Sequence, residues 1–135
     1  MTLQLSAAVR NAMADAIEAT IGTSAVLEIR TGAAPANCAA ASSGTVLATL
    51  NLPSDWMANA ASGSKSKSGT WEDTAADAGG TAAHFRVWDS SKTTCHMQGS
   101  VTLTGGGGDL TLDNTNIAAG QDVLVTSFTY NRGNA

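Results

Sequence analysis

The chain has 135 residues, of which 43% are hydrophobic but only 4% aromatic and 13% charged; its formal net charge is -4 and its pI is near 4.8. That length fits one domain with a single core, burying about two-thirds of the surface its unfolded form exposes. So few charges and so many small residues argue against a helical bundle, and the seven scattered Lys and Arg do not make the basic stripe that direct nucleic-acid binding requires.

The opening MTLQLSAAVRNAM has no charged start followed by an apolar core. No stretch approaches the roughly 20 apolar residues of a membrane span, so synthesis in the cytoplasm without export or membrane contact is expected. Leu5, Val9, Met13, Ile17 and Ile21 recur every four residues, with Arg10, Asp15 and Glu18 elsewhere around the wheel. This spacing predicts an amphipathic helix ending at Gly22, so residues 1–22 form a helical segment and 23–135 a β-sandwich domain. The apolar stripe, with Val9 and Met13 in it, docks either on its own domain or on a partner subunit.

From Ser24 the period becomes two. SAVLEIR sets Ala25, Leu27 and Ile29 against Val26, Glu28 and Arg30, the pattern of a half-buried strand. TGAAPANCAAASSG reads as a surface loop, and TVLATLNLP as a second strand closed by Pro53. Residues 54–80 show no periodicity yet hold Trp56 and Trp71. The segment is expected to be a long interaction loop, anchored at both ends with a short strand near 69–73, and mobile between.

TAAHFRVWDSSKTTCHMQGSVTLTG reads as a hairpin around DSSK. Centred on Ser91, it sets Val87 opposite Cys95, Phe85 opposite Met97 and Ala83 opposite Gly99 on an apolar face. Trp88 then faces Thr94, Arg86 faces His96 and His84 faces Gln98 on a polar one. Gly105–Gly108 read as the reversal between two antiparallel strands, DLTLDN follows as a brief strand, and DVLVTSFTY is the last, with a bulge near Ser127 where the parity of Val123, Val125 and Phe128 changes. Together the elements predict a mainly β fold, an antiparallel β-sandwich or jelly-roll-like domain behind one N-terminal helix.

Chemical motifs are sparse. GGGGDLTL lacks the lysine of a phosphate loop and runs into a strand rather than a helix. Ser62/Lys65 and Ser64/Lys67 match S-x-x-K without the companion elements of the enzymes that use it. His84 and His96 lack a third metal ligand, and the acids Glu72, Asp73, Asp77, Asp109 and Asp113 lack cation-loop spacing. No cofactor, no metal site and no enzymatic activity are expected. Cys38 and Cys95 are either free thiols or one disulfide. The face carrying Arg86 and Trp88 suits a partner or a stacked glycan, or lies under another strand layer or under residues 54–80.

The segments VLEIRTGAAPANCAAASSGTVLATL, TAAHFRVWDS with CHMQGSV, and DLTLDNTNIAAGQDVLVTSFTYNRGNA give the chain a resemblance, over nearly its whole length, to small virion proteins of tailed bacteriophages. More specifically it resembles the capsid cement, or decoration, proteins of short-tailed phages. That resemblance implies a small β-sandwich binding as a dimer or trimer to the major capsid protein on the outside of the shell, made in the host cytoplasm and bracing neighbouring capsomers. It carries over no individual residue. Val9, Met13, Trp56, Trp71, Arg86 and Trp88 are the candidate contacts; a tail or neck component and a carbohydrate-binding module are the alternatives.

Overall fold

A computed structural model describes residues 1–133. In chain order these form α1 (Ala7–Ile21), β1 (Val26–Arg30), β2 (Val46–Asn51), β3 (Ser64–Ser66), β4 (Trp71–Asp73), β5 (Gly80–Thr81), β6 (His84–Trp88), β7 (Cys95–Leu103), β8 (Leu110–Leu112), β9 (Asn116–Ile117), β10 (Val123–Val125) and β11 (Thr129–Asn131). The chain is mainly β with one N-terminal helix, as its periodicities predict. The last two positions of the 23–135 segment, Asn134 and Ala135, lie outside the described residues.

A five-stranded sheet in the order β2-β1-β6-β7-β8 is the largest element, joined by the two-stranded ladders β10-β4, β11-β3 and β5-β9. One face of the sheet carries the apolar rows Leu50-Leu27-Val87-Met97 and Ala48-Ile29-Phe85-Gly99. Trp56, Trp71 and Phe128 pack with these rows in one core; the Trp56 and Trp71 ring centroids are 5.9 Å apart, Trp71 and Phe128 5.5 Å, and Phe85 meets Phe128 edge-on at 5.9 Å. Each buried indole N–H has a backbone acceptor: Trp56 donates to Gly22 O at 2.9 Å and Trp71 to Trp56 O at 3.1 Å, as burial of that group requires.

Residues 54–80 are anchored by the buried Trp56 and Trp71 and carry a short strand at Trp71–Asp73, as expected, but the part between them is tied to α1 instead of standing free. The polar stripe Asn11, Asp15 and Glu18 on α1 accepts the N–H groups of Gly63, Ala60 and Met57 at 2.8, 2.9 and 2.8 Å. Lys65 on β3 is buried against the same stripe, 2.8 Å from Asp15 and 3.6 Å from Glu18. The helix, capped by the Ser6 side chain on Val9 N–H, thus docks through hydrogen bonds as much as through Ile17 and Ile21.

The hairpin register differs from the expected one by two residues: Val87 pairs with Met97, Phe85 with Gly99, Arg86 with Gln98 and His84 with Ser100. The turn is wider than DSSK. The Asp89 carboxylate accepts the N–H groups of Thr93 at 2.9 Å and Thr94 at 3.4 Å, and a bulge beside Val87 and Trp88 leaves Trp88 opposite Cys95. An even shift preserves which residues share a face, so the apolar row survives. The parity change before Phe128 is not a bulge in one strand: Val123–Val125 pair with β4, and Thr129–Asn131 transfer to β3.

The glycine tract does not join antiparallel strands. β8 runs parallel to β7, Val101 pairing with Leu110 and Leu103 with Leu112, although parallel neighbours ordinarily need about a dozen connecting residues. Gly105 and Gly107 turn the chain at φ 86° and 82°. At Gly106 and Gly108 the backbone lies against Thr102, where a Cβ would stand 2.8 and 2.7 Å from Thr102 Oγ1. Asp109 fastens the returning chain by accepting Ser100 N–H at 2.9 Å and the Ser100 hydroxyl at 3.0 Å. We expect Gly108→Ala to destabilise the fold by about 1–3 kcal/mol through this clash, read as a lower urea midpoint at unchanged slope.

Candidate functional site

The second face of the sheet carries charges and yet is buried. Glu28 and Arg86, paired across β1 and β6, are 1% and 0% exposed, and His84 is buried beside them. The alternating pattern of β1 suggests a solvated outer face, but Val26 and Glu28 are buried as Leu27 is. The cover is neither a further strand layer nor residues 54–80. It is the loop of residues 31–45, rich in small residues that let its backbone approach the sheet.

Arg86 holds that loop down. Its guanidinium donates to Ser42 Oγ at 2.8 Å and to the carbonyls of Asn37, Cys38 and Ala40 at 3.2, 3.0 and 3.1 Å. Gln98 Nε2 donates to Pro35 O, His84 Nδ1 meets Gly32 O at 2.7 Å, and Arg30 donates to Ser43 O and Gly44 O. A chain of carbonyls over a sheet has no ladder to satisfy it, so a rigid five-donor fork is the side chain suited to the position.

Glu28 is the buried acid of this face, and its ion pairs are with Arg30 and Lys92. Its carboxylate accepts Trp88 Nε1 at 2.8 Å, Arg30 Nε at 3.2 Å and Lys92 Nζ at 2.7 Å. Burial by itself would raise this carboxyl; the Lys92 hydrogen bond and the Arg30 charge and hydrogen bond outweigh it and hold the group below its ordinary value of 4.5. Trp88 in turn lies 5.3 Å from the Arg86 guanidinium, ring centroid to Cζ.

These contacts correct the expected roles of four residues. Trp56, Trp71 and Arg86 are buried within the chain and present no surface to a partner or a glycan. Trp88 is half-buried, its indole N–H committed to Glu28. Two of the four, Trp56 and Trp71, lack any sequence signal of their inward placement. His96 shares no face with His84, because the bulge turns it toward α1, where it lines a groove.

Val9 and Met13 do reach the surface, 45% and 38% exposed. Below Met13 the stripe opens into an apolar groove of about 400 Å³ between α1 and the β7 and β11 strands, walled by Ile17, Ile21, Met97 and Tyr130. The apolar stripe is thus divided: Ile17 and Ile21 pack on the domain, and Val9 and Met13 do not.

The remaining motifs have structural partners. Lys65 of the S-x-x-K match donates to Asp15 and to Ala58 O at 3.0 Å, and that contact holds the Asp15 carboxyl below its ordinary value. Lys67 donates to Gly69 O at 2.7 Å. Asp73 and Asp77 accept from the Thr49 N–H and hydroxyl, and a hydrogen bond with Asp122 raises the Glu72 carboxyl. Among the described residues no group of three or more His, Cys, Asp and Glu is arranged to hold a metal, and no helix is long and apolar enough to cross a membrane. Glu28 and Lys65 are the buried charges that sequence patterning misses, since each sits in a run that reads as half-exposed.

Comparison of the chain with protein-family models, with curated proteins and with solved structures found no match.

Because the Glu28 carboxyl is depressed in the folded state, its contribution to stability is complete above about pH 4.5 and is lost as pH falls through the lower folded value. Glu28→Gln is expected to cost about 2–3 kcal/mol at pH 7. Urea titrations of the two proteins should show that difference narrowing below about pH 4.5; a constant gap would refute the assignment. Arg86→Met should release residues 31–45, seen as faster amide exchange confined to that loop and the facing strands.

Proposed function

We propose that the chain is a structural component of a bacteriophage particle, a cement or decoration protein that binds the outside of the capsid and braces capsomer junctions. The observation that carries the reading is the divided helix stripe. Val9 and Met13 stand on the surface at a spacing of four and continue into the groove walled by Met97 and Tyr130. Exposed apolar residues beside such a groove suit contact with another protein. The resemblance described above names that partner as the major capsid protein and the assembly as a homodimer or homotrimer. We read the central sheet and its small ladders as sandwich-like, approaching a jelly roll, a shape that offers a rigid body for many modest symmetric contacts.

A carbohydrate-binding role loses two of its three stacking platforms, because Trp56 and Trp71 are buried. A tail or neck component would use the same exposed stripe but assemble as a ring. Stoichiometry separates the two: hundreds of copies in purified particles support cement, whereas about six or twelve exclude it.

The helix contact is tested by Val9→Asp. At an exposed position this change should leave the urea midpoint of the free protein within about 0.5 kcal/mol of wild type. Self-association by sedimentation, and binding to particles lacking the protein, should fall at least tenfold. Unchanged association and binding would remove the stripe from the interface.

A further inference from the structure

The two cysteines of the chain come together at the edge of the covered face. Cys38 lies in the loop of residues 31–45 and Cys95 begins β7, 57 positions later in sequence, yet both line one depression of about 490 Å³ with Ala40, Arg86, Trp88 and Thr94. Both are free thiols, Cys38 half-buried and Cys95 buried, and each lies close enough to the same depression for the Cys38 side chain to act on the Cys95 thiol. Arg86 fixes the approach. It donates to the Cys38 carbonyl at 3.0 Å and lies near enough to Cys95 for its charge to favour the thiolate. Trp88, stacked on the same guanidinium, is the residue paired with Cys95.

We propose that Cys38 and Cys95 are a dithiol couple, oxidised by a small disulfide such as glutathione disulfide to a cross-link that locks the 31–45 loop onto the sheet. Cys38, the more accessible thiol, attacks the oxidant as its thiolate and expels one glutathione, leaving a mixed disulfide on Cys38. Cys95 then attacks Cys38 Sγ, forms the protein disulfide and expels the second glutathione. The two thiol protons end on the two glutathiones, and two electrons pass from the protein to the oxidant. Burial and the adjacent Cys38 thiol push the Cys95 thiol up to about 11, so the closing step speeds up as pH rises through the neutral range. The roles follow from exposure: only Cys38 can meet a bulky disulfide, and only Cys95 is placed to resolve it.

The cross-link does not depend on the virion reading, and its test is independent of particle binding. The native full chain is incubated with glutathione disulfide at about pH 8.5, quenched with acid and alkylated, and its tryptic fragments are mapped. The expected product joins fragment 31–65 to fragment 93–132 with the loss of two hydrogens. Its melting temperature is expected to rise by roughly 10–15 °C over the reduced form. Cys95→Ser should stop as a glutathione adduct on Cys38, and Cys38→Ser should leave Cys95 unmodified. Wild-type protein that keeps both thiols alkylatable, that stops at the Cys38 adduct, or that cross-links only in denaturant overturns the proposal, and this wild-type result decides it whether or not the variants fold.

Discussion

A guanidinium carried into a site without water access must find its hydrogen-bond partners in the protein, and much of this molecule is arranged around that requirement at Arg86. Four acceptors converge on it, three of them backbone carbonyls of a loop with no secondary structure of its own. The dependence is mutual. Without the guanidinium the covered carbonyls of Asn37, Cys38 and Ala40 would lack donors, a larger loss than an ordinary hydrogen bond contributes, and without the loop the guanidinium would return to water. Loop and sheet therefore order together, which explains how an Ala- and Gly-rich segment holds a defined path.

The same face also buries an acid, placed by register. Glu28 sits opposite Arg86 across the ladder, and it gathers Arg30, Lys92 and Trp88 instead of binding Arg86 directly. The turn contributes as well: Asp89 widens it to Thr94 and thereby places Lys92 over Glu28. The two-residue register shift of the hairpin and the burial of a carboxylate in mid-strand are thus connected. On the other side of the molecule α1 solves a similar problem with the opposite polarity, its Asn11, Asp15 and Glu18 side chains accepting backbone N–H groups from a segment that is strand only in part.

What the sequence makes legible follows from which interactions have a period. The helix, β1, β2, β6 and β7 show in the spacing of Ile17 and Ile21 or Leu27 and Ile29, because burial along a regular element repeats at 3.6 or 2 residues. Alternation reports that the two faces differ, not that one is wet. Glu28 and Arg86 belong to a face that is polar and dry, and no local signal distinguishes it from a solvated one. Trp56 and Trp71 are similar: their burial depends on segments brought together by α1 and β10. The parallel return of β8 was equally hidden, since four glycines state that a sharp path exists and leave its direction to the clip between Ser100 and Asp109.

Most polar side chains of the covered face bond the chain's own backbone or one another, the atoms among them that lack a partner are buried, and the helix's polar stripe is spent on residues 57–63 and Lys65, so neither presents directed groups at the surface. Val9 and Met13 are different. Apolar side chains impose no hydrogen-bond obligation, so a fold can carry them at its surface without strain, and their exposure reflects geometry: Ile17 and Ile21 pack on the core, whereas Val9 and Met13 lie on the part of the stripe that the domain does not cover. A surface of this kind binds through area and shape, with little direction from individual bonds. Specificity would then have to come from symmetry and from the fixed placement of the helix, which its hydrogen bonds to residues 57–63 and its ion pair with Lys65 provide.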